Sequence, residues 1–342
     1  MEVELIPGLP SDMAMECLIR VSYKWHHVAR RVSKRWRNLI DGGDLYRLRK
    51  QSGKSSRLAC LVQSLPTPSS PALDAKPSHR RTSYGLSVFD PGSYDWDLLP
   101  QIPTHPDGLP LFCQVAGAEG KLVVLGGWDP VSWEPLRDVW VYDFRLGSWR
   151  RGADMPCARS FFAVGAVKGV VFVAGGHDAS KNAMRTASAY DVGRDAWVDA
   201  GEMREGRDEC EGVVVKGEVW VVGGYGTERQ GRFGGSAEVL DVGKGRWRRV
   251  EGAWVEGRCP RGCVGEGKDG GLVCWSDEEQ LVRVGTCAVR VGDRVVLTGS
   301  VCPGAPHGVF SVKVGGKNER LEAVDVPREF SGFVQSGCCV EI

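Results

Sequence analysis

Glycine doublets recur along this 342-residue chain at a nearly constant interval, and that interval limits the possible folds more than any other feature. They close apolar runs at Leu125-Gly126-Gly127, Ala174-Gly175-Gly176 and Val222-Gly223-Gly224. Each is followed by a polar stretch, then by Tyr142-Asp143, Tyr190-Asp191 or Leu240-Asp241, then by Trp149, Trp197 or Trp247. The second glycines of the doublets are 49 and 48 residues apart, and the tryptophans 48 and 50. Separate marks sharing one phase require a repeated unit, which reads as four antiparallel strands, A to D. The apolar run is a strand buried on both faces, and the doublet supplies backbone angles closed to other residues. The indole on the outer strand fills the wedge between neighbouring units. One such sheet cannot bury both faces alone; radial stacking into a closed β-propeller can.

The interval is that of Kelch repeats, and the fold class is therefore mainly β, a Kelch-type propeller. Clear repeats span about 111–156, 157–204 and 205–255, with degenerate blades at 58–103, 258–285 and 286–327. The expected count is six, the fifth being short and eroded around Leu272-Val-Cys-Trp275. In the first blade, Leu58–Val62 reads as strand B and Tyr84–Asp90 with Trp96 as strands C and D. Nothing upstream suits its strand A. The apolar C-terminal stretch 332–340 is expected to insert there and close the ring. Pro66 to Ser83, rich in Pro and Ser, would be a long disordered loop of that blade.

Residues 1–45 have a different texture, with 46–57 expected as a connector and the propeller over 58–342. Ser11 is a candidate N-cap, and Cys17, Leu18 and Val21 fall on one helical face. Val28, Val32, Trp36 and Leu39 recur at helical spacing, with Arg30, Arg31, Lys34, Arg35 and Arg37 on other faces. A helical unit this small is rarely stable alone, so its apolar side must be covered by the propeller or by a partner.

Leu5-Ile-Pro-Gly-Leu9-Pro10, Asp12, Cys17-Leu-Ile-Arg20-Val21, Val28, Val32-Ser33-Lys34-Arg35-Trp36-Arg37 and Ile40 together resemble an F-box. With the repeats behind it, the chain resembles plant F-box/Kelch-repeat proteins. Its ending, Glu329 to Ile342, resembles the subgroup implicated in turnover of phenylalanine ammonia-lyase and of cytokinin response regulators. The resemblance implies a non-catalytic substrate-recognition subunit of an SCF-type, cullin-RING ubiquitin ligase. The F-box would dock on a Skp-type adaptor, with Leu9, Pro10, Leu18, Val21, Val32 and Trp36 forming or supporting that face. The propeller would present a protein target for ubiquitination and proteasomal degradation, with phenylalanine ammonia-lyase, and so phenylpropanoid regulation, or a response regulator as candidates. A ligase-independent protein-binding scaffold is the alternative.

Strand A begins, and strand B ends, on the same face of the ring. Arg159, Arg207 and Arg258 stand at the start of strand A, 48 and 51 residues apart. Trp128, Trp133, His177, Arg185, Tyr225, Arg229, Arg232 and Phe233 follow strand B. Arginine with exposed aromatics is the composition of protein-recognition hot spots, so these are candidate target contacts. Resemblance to related Kelch domains points the same way, since those use an arginine at this position to grip acidic peptides. Otherwise the arginines bond loop carbonyls and brace the blades. His177 reads as solvent-exposed.

Other chemistry finds little support. Lys and Arg number 44 against 43 Asp and Glu, so no overall basic excess favours nucleic acid or an anionic membrane. The start, Met1-Glu-Val-Glu-Leu-Ile-Pro-Gly, lacks the basic and apolar regions of a secretory signal, and apolar runs are of strand length. A cytoplasmic or nuclear location with free thiols is expected for the 12 cysteines, which form no C-x-x-C pair. No metal or cofactor is expected: the six histidines are scattered. Gly262-Cys-Val-Gly-Glu-Gly267-Lys268 spells most of a phosphate-binding loop but continues into Asp269-Gly270-Gly271 where Ser or Thr and a helix are needed.

Overall fold

The computed structural model describes residues 4–65, 83–267, 269–275, 284–302, 305–315 and 321–342. The disordered loop expected over 66–83 lies almost wholly outside them. Four helices, α1 (Ser11–Leu18), α2 (His26–Ala29), α3 (Lys34–Asp41) and α4 (Asp44–Gln51), precede the strands. Leu18, Ile19, Ala29, Ile40 and Leu45 form the small core between them. The expected cap at Ser11 is instead the first helical residue, after Pro10. Ser33 does cap α3, its hydroxyl accepting the Trp36 N–H at 3.1 Å. The connector expected over 46–57 is helical at its start, because Leu45 and Leu48 of α4 complete the helical core.

Strands β4–β7 (Gln114–Ala118, Lys121–Leu125, Val139–Asp143, Ser148–Arg151) make one four-stranded meander. Strands β8–β11 (Ala163–Val167, Val170–Ala174, Thr186–Asp191, Ala196–Glu202) and β12–β15 (Glu211–Val215, Glu218–Val222, Ala237–Asp241, Arg246–Val250) make two more. Among the described residues, two short strands come next, β16 (Val264–Glu266) and β17 (Leu272–Cys274), paired with each other. Strands β18–β21 (Val284–Val291, Arg294–Ser300, Gly308–Lys313, Leu321–Val324) form another meander. The last sheet has the order β22-β1-β2-β3, with β22 at Val334–Glu341, β1 at Arg57–Ser64, β2 at Tyr84–Asp90 and β3 at Asp95–Leu98. Its inner strand thus comes from the C-terminal end of the chain, antiparallel to β1 with Leu58 opposite Val340. The expected six blades are corrected to five four-stranded blades among the described residues. The fifth position in chain order holds a two-stranded remnant, where the sequence lacks the Tyr-Asp and Trp marks of strands C and D.

The repeat marks carry the packing. Trp149, Trp197 and Trp247 donate their indole N–H to the carbonyls of Pro100, Ala153 and Ala200, at 2.7, 2.8 and 2.9 Å. Pro100 and Ala153 lie just past the outer strand of the preceding blade and Ala200 within it, in β11, so each indole stitches its blade to the one before. Trp96 holds the equivalent place, stacked 5.1 Å from Phe330 in the segment that leads into β22. Both glycines of every doublet have positive φ, from 52° to 93°. Inner strands β4, β8, β12, β16, β18 and β22 surround a central cavity of about 290 Å³.

Candidate binding surfaces

The ring has two unlike ends. The A–B and C–D hairpin turns lie at one, here called the turn face; the B–C loops and D–A connections lie at the other, the loop face. The helical module sits on the turn face. Tyr23 packs edge-on against Phe144 at 5.8 Å, just past the end of β6. Lys24 pairs with Asp95 at 3.5 Å, and Lys50 with Glu341 at 3.4 Å. Ser56 and Ile342 exchange two backbone hydrogen bonds of 2.8 Å. Buried Arg49 donates to the carbonyls of Ile19 and Val21, at 2.7 and 2.6 Å. His26, which also bonds the Val21 carbonyl, is held down to a pKa of about 4 by burial and by the positive charge of Arg49.

This seating covers only part of the module's apolar surface. Trp25 and Val32 are 62% and 64% exposed, and Val28 and Met13 are exposed as well. Of the six residues expected at an adaptor face, Pro10 and Val32 are exposed and Leu9 and Val21 are half-buried. Leu18 is buried beside Ile40 and Leu45, so of the two roles expected, forming or supporting the face, only support is open to it. Trp36 is half-buried, its indole donating to the Leu5 carbonyl at 2.7 Å and tying the N-terminal segment to α3. Met13, Trp25 and Val28 were not legible as face residues; the exposure of Trp25 and Val28 follows from the chain turning tightly through α2.

The loop face carries an aromatic cluster at the mouth of the cavity. Phe112 and Phe161 lie 4.4 Å apart, each next to Trp128 at 6.1 and 5.9 Å. Trp133, 59% exposed, abuts Trp128, while His177 packs on both Trp128 and Phe161. Lys181 stands 5.9 Å over the Trp128 ring and Arg261 5.1 Å over Phe161. On the neighbouring blade Tyr225 packs on Phe233 at 5.3 Å and donates its hydroxyl to Glu209 at 2.8 Å. Burial, and then that carboxylate, push the Tyr225 hydroxyl well above the usual tyrosine range. Phe112, Phe161 and Glu209 occupy the same place in successive repeats, one residue before a buried Cys113, Phe162 or Cys210, with φ of 56°, 54° and 49°. Left-handed backbone at bulky residues is costly and turns these side chains to the mouth. Their spacing of 49 and 48 residues was available in the sequence. Arg261, 52 residues after Glu209, falls off that spacing.

Three of the expected contact residues are corrected. Arg159 is fully buried, donating to the carbonyls of Gly175 and Thr186 at 3.1 Å each. Arg207, also buried, donates to the carbonyls of Gly223 and Ser236 at 2.7 and 3.1 Å and to the Ser236 hydroxyl at 2.7 Å. Gly175 and Gly223 open the doublets, where left-handed backbone breaks strand pairing and leaves carbonyls unmet; the arginine forks meet them. These side chains brace the blades and are out of a partner's reach. Arg258 is half-buried against Cys274, its Nη1 3.4 Å from the sulfur. His177 is corrected from exposed to buried, its Nδ1 2.8 Å from Asp208 Oδ1. Arg185 is exposed and pairs with Glu202 at 2.5 Å, and Arg229 and Arg232 are exposed on the blade of Tyr225.

No group of His, Cys, Asp and Glu among the described residues could hold a metal ion, and no described helix is long and apolar enough to cross a membrane. Gly262–Gly267 turns into the two-stranded remnant instead of opening a helix.

A closed repeat propeller with a small helical unit seated on one end defines a modular binding protein, each end offering its own surface. The F-box domain model matches residues 6–48, and the Kelch motif model matches 111–156 and 158–204. The Arabidopsis thaliana F-box/kelch-repeat protein At1g15670 is 36% identical over 361 aligned residues, covering 99% of this chain and 100% of that protein. The F-box/kelch-repeat protein At2g44130 of the same plant is also 36% identical, over 92% of this chain and 85% of its own length. A third Arabidopsis relative, F-box/kelch-repeat protein SKIP20, is 37% identical over 73% of this chain and 67% of its length. This chain belongs to the F-box/kelch-repeat family.

Proposed function

We propose that this protein is the substrate-recognition subunit of an SCF-type ubiquitin ligase. The helical module docks on a Skp-type adaptor through Trp25, Val28 and Val32, with Pro10 and Leu9 at its edge. The loop face holds the target protein through Phe112, Trp128, Trp133, Phe161 and the cations over them. The observation that carries this reading is the two-ended layout: apolar side chains stay exposed on the helical module at the turn face, while an aromatic cluster with cations lies at the opposite end. A bound target would then project away from the ligase core. The protein itself acts by binding, without catalytic groups of its own.

Phenylalanine ammonia-lyase and response regulators stay candidate targets on the strength of the C-terminal resemblance alone. Most of that segment is β22, whose sequence answers to pairing with β1 and packing beside β4, so it reports on ring closure more than on target choice. The test is affinity capture from plant cells with the proteasome inhibited, comparing wild type with Trp133→Ala and Val32→Asp. A target should be captured by wild type and Val32→Asp but not Trp133→Ala, and its ubiquitination should require both ends. A protein captured equally by all three and never ubiquitinated would favour the scaffold alternative.

A further inference from the structure

The charge balance of the whole chain conceals a strong local asymmetry. Between Cys17 and Ile40 there are seven Lys and Arg and no Asp or Glu, so the rest of the chain carries six more acids than bases. Three of the seven are spoken for: Arg20 pairs with Glu16, Lys24 with Asp95 and Arg30 with Asp41. Arg37 uses its Nε on the Arg30 carbonyl at 3.4 Å. Arg31, Lys34 and Arg35 are exposed and have no carboxylate partner among the described residues. They sit beside the exposed Val28 and Val32, on the last turn after α2 and the first turn of α3. A helix N-terminus already carries partial positive charge, so Lys34 and Arg35 in the first turn of α3 are unfavourable for helix stability itself. Arg31, Lys34 and Arg35, with Arg37 beside them, outnumber the one nearby carboxylate, Asp41, which Arg30 already engages; they repel one another, and an acidic partner would relieve that.

We infer that Arg31, Lys34, Arg35 and Arg37 form a cationic rim to the apolar docking surface of Trp25, Val28 and Val32, fitted to a protein partner whose apolar groove is edged by carboxylates. This rests on the docking role proposed above, and the partner is the Skp-type adaptor of that reading. Three apolar anchors give a short-lived complex on their own, whereas complementary charge at the rim raises the rate of encounter and fixes orientation. The acidic remainder of the molecule adds to the steering, because it repels an acidic partner from every other approach.

The experiment is association kinetics of the full-length protein with recombinant Skp-type adaptor, across ionic strengths from about 0.05 to 0.5 M, where the screening length falls several-fold. The wild-type association rate should drop about tenfold or more over that range, as rim-charge steering does. The triple variant Arg31→Gln, Lys34→Gln, Arg35→Gln, which keeps good helix formers, should start slow and stay nearly flat with salt. Trp25→Ala should speed dissociation while leaving the salt slope intact. Circular dichroism and thermal unfolding of each variant confirm that it is folded. Wild-type binding that is indifferent to salt, or a triple variant that matches wild type, overturns the charge inference and leaves the docking reading standing. Failure of wild type to bind at any salt sinks the docking reading itself. Parallel arms with phosphatidylserine vesicles and with duplex DNA decide the remaining case: binding there that the triple variant loses, with adaptor binding unchanged, assigns the rim to that polyanion and refutes the proposal.

Discussion

Replacing Arg207 by methionine tests whether the arginines before strand A brace the propeller or bind a target. The side chain is buried and meets the Gly223 and Ser236 carbonyls and the Ser236 hydroxyl, with Glu238 Oε1 3.6 Å from its Nε. Methionine fills a similar volume but donates nothing. The Gly223 carbonyl just past β13 is then left without a partner, worth about 1–3 kcal/mol when orphaned in a core, while the Ser236 carbonyl keeps only the Gly223 N–H at 3.1 Å. Glu238, 1% exposed, keeps only the backbone N–H groups of Arg204 and Glu205, at 2.7 and 3.2 Å. Removing one partner of a buried ion pair costs about 3–5 kcal/mol, a range that already includes much of the orphaned hydrogen bonding. We expect about 4 kcal/mol in total. For a domain of roughly 300 residues, with an unfolding entropy near 0.6 kcal/mol per kelvin, that lowers the melting temperature by about 7 °C. Scanning calorimetry reads the shift, with Arg185→Ala as an exposed control that should stay within about 0.5 kcal/mol of wild type. A melting temperature within about 1 °C of wild type, together with lost target capture, would refute the bracing argument and return Arg207 to the binding surface.

Two further outcomes follow from the packing. His26 is buried with a pKa near 4 against 6.5 in the unfolded chain, so the unfolded state takes up a proton first as pH falls. Stability should be intact at pH 7 and decline from about pH 6.5 to 4, by about 2 kcal/mol at pH 5 and 3 kcal/mol at the end; His26→Gln should flatten this stretch of a urea-midpoint-against-pH curve. Gly117 on β4 leaves no room for a methyl group beside the Cys339 carbonyl of β22, so Gly117→Ala should cost about 3 kcal/mol and loosen ring closure. Limited proteolysis near residue 333 should then quicken, and unchanged protection would contradict the closure argument.

What the sequence made legible was whatever repeats. The doublets, the Tyr-Asp pairs and the tryptophans are each one residue type forced by one local need, and each recurs with the period, so strands β4 to β15 could be read without coordinates. Blade five was placed by its apolar run around Leu272–Trp275, but its reduction to β16 and β17 among the described residues was not legible, because its sequence carries no marks of strands C and D. The arginines were visible as periodic, yet periodicity cannot tell a brace from a contact: both need the same place in every blade. Burial decides, and Arg159 and Arg207 point inward because the doublet leaves carbonyls that only a buried donor can reach. On the loop face the aromatics after strand B were evident by composition, whereas Phe112, Phe161 and Arg261 acquire meaning from left-handed backbone and from cross-ring proximity. In the helical module, helical spacing marked Leu18 and Val32 alike as apolar face residues; which of them faces out depends on how the short α2 and α3 fold back on α1, and on the propeller taking only one side.

If the two ends of the molecule bind separately, calorimetric titration of full-length protein with the Skp-type adaptor shows it. We expect one adaptor per chain, affinity reduced at least about tenfold by Val32→Asp, and affinity unchanged by Trp133→Ala and Phe161→Ala on the far face. Absence of binding by wild type, or an adaptor affinity that falls with the loop-face variants as much as with Val32→Asp, would contradict it.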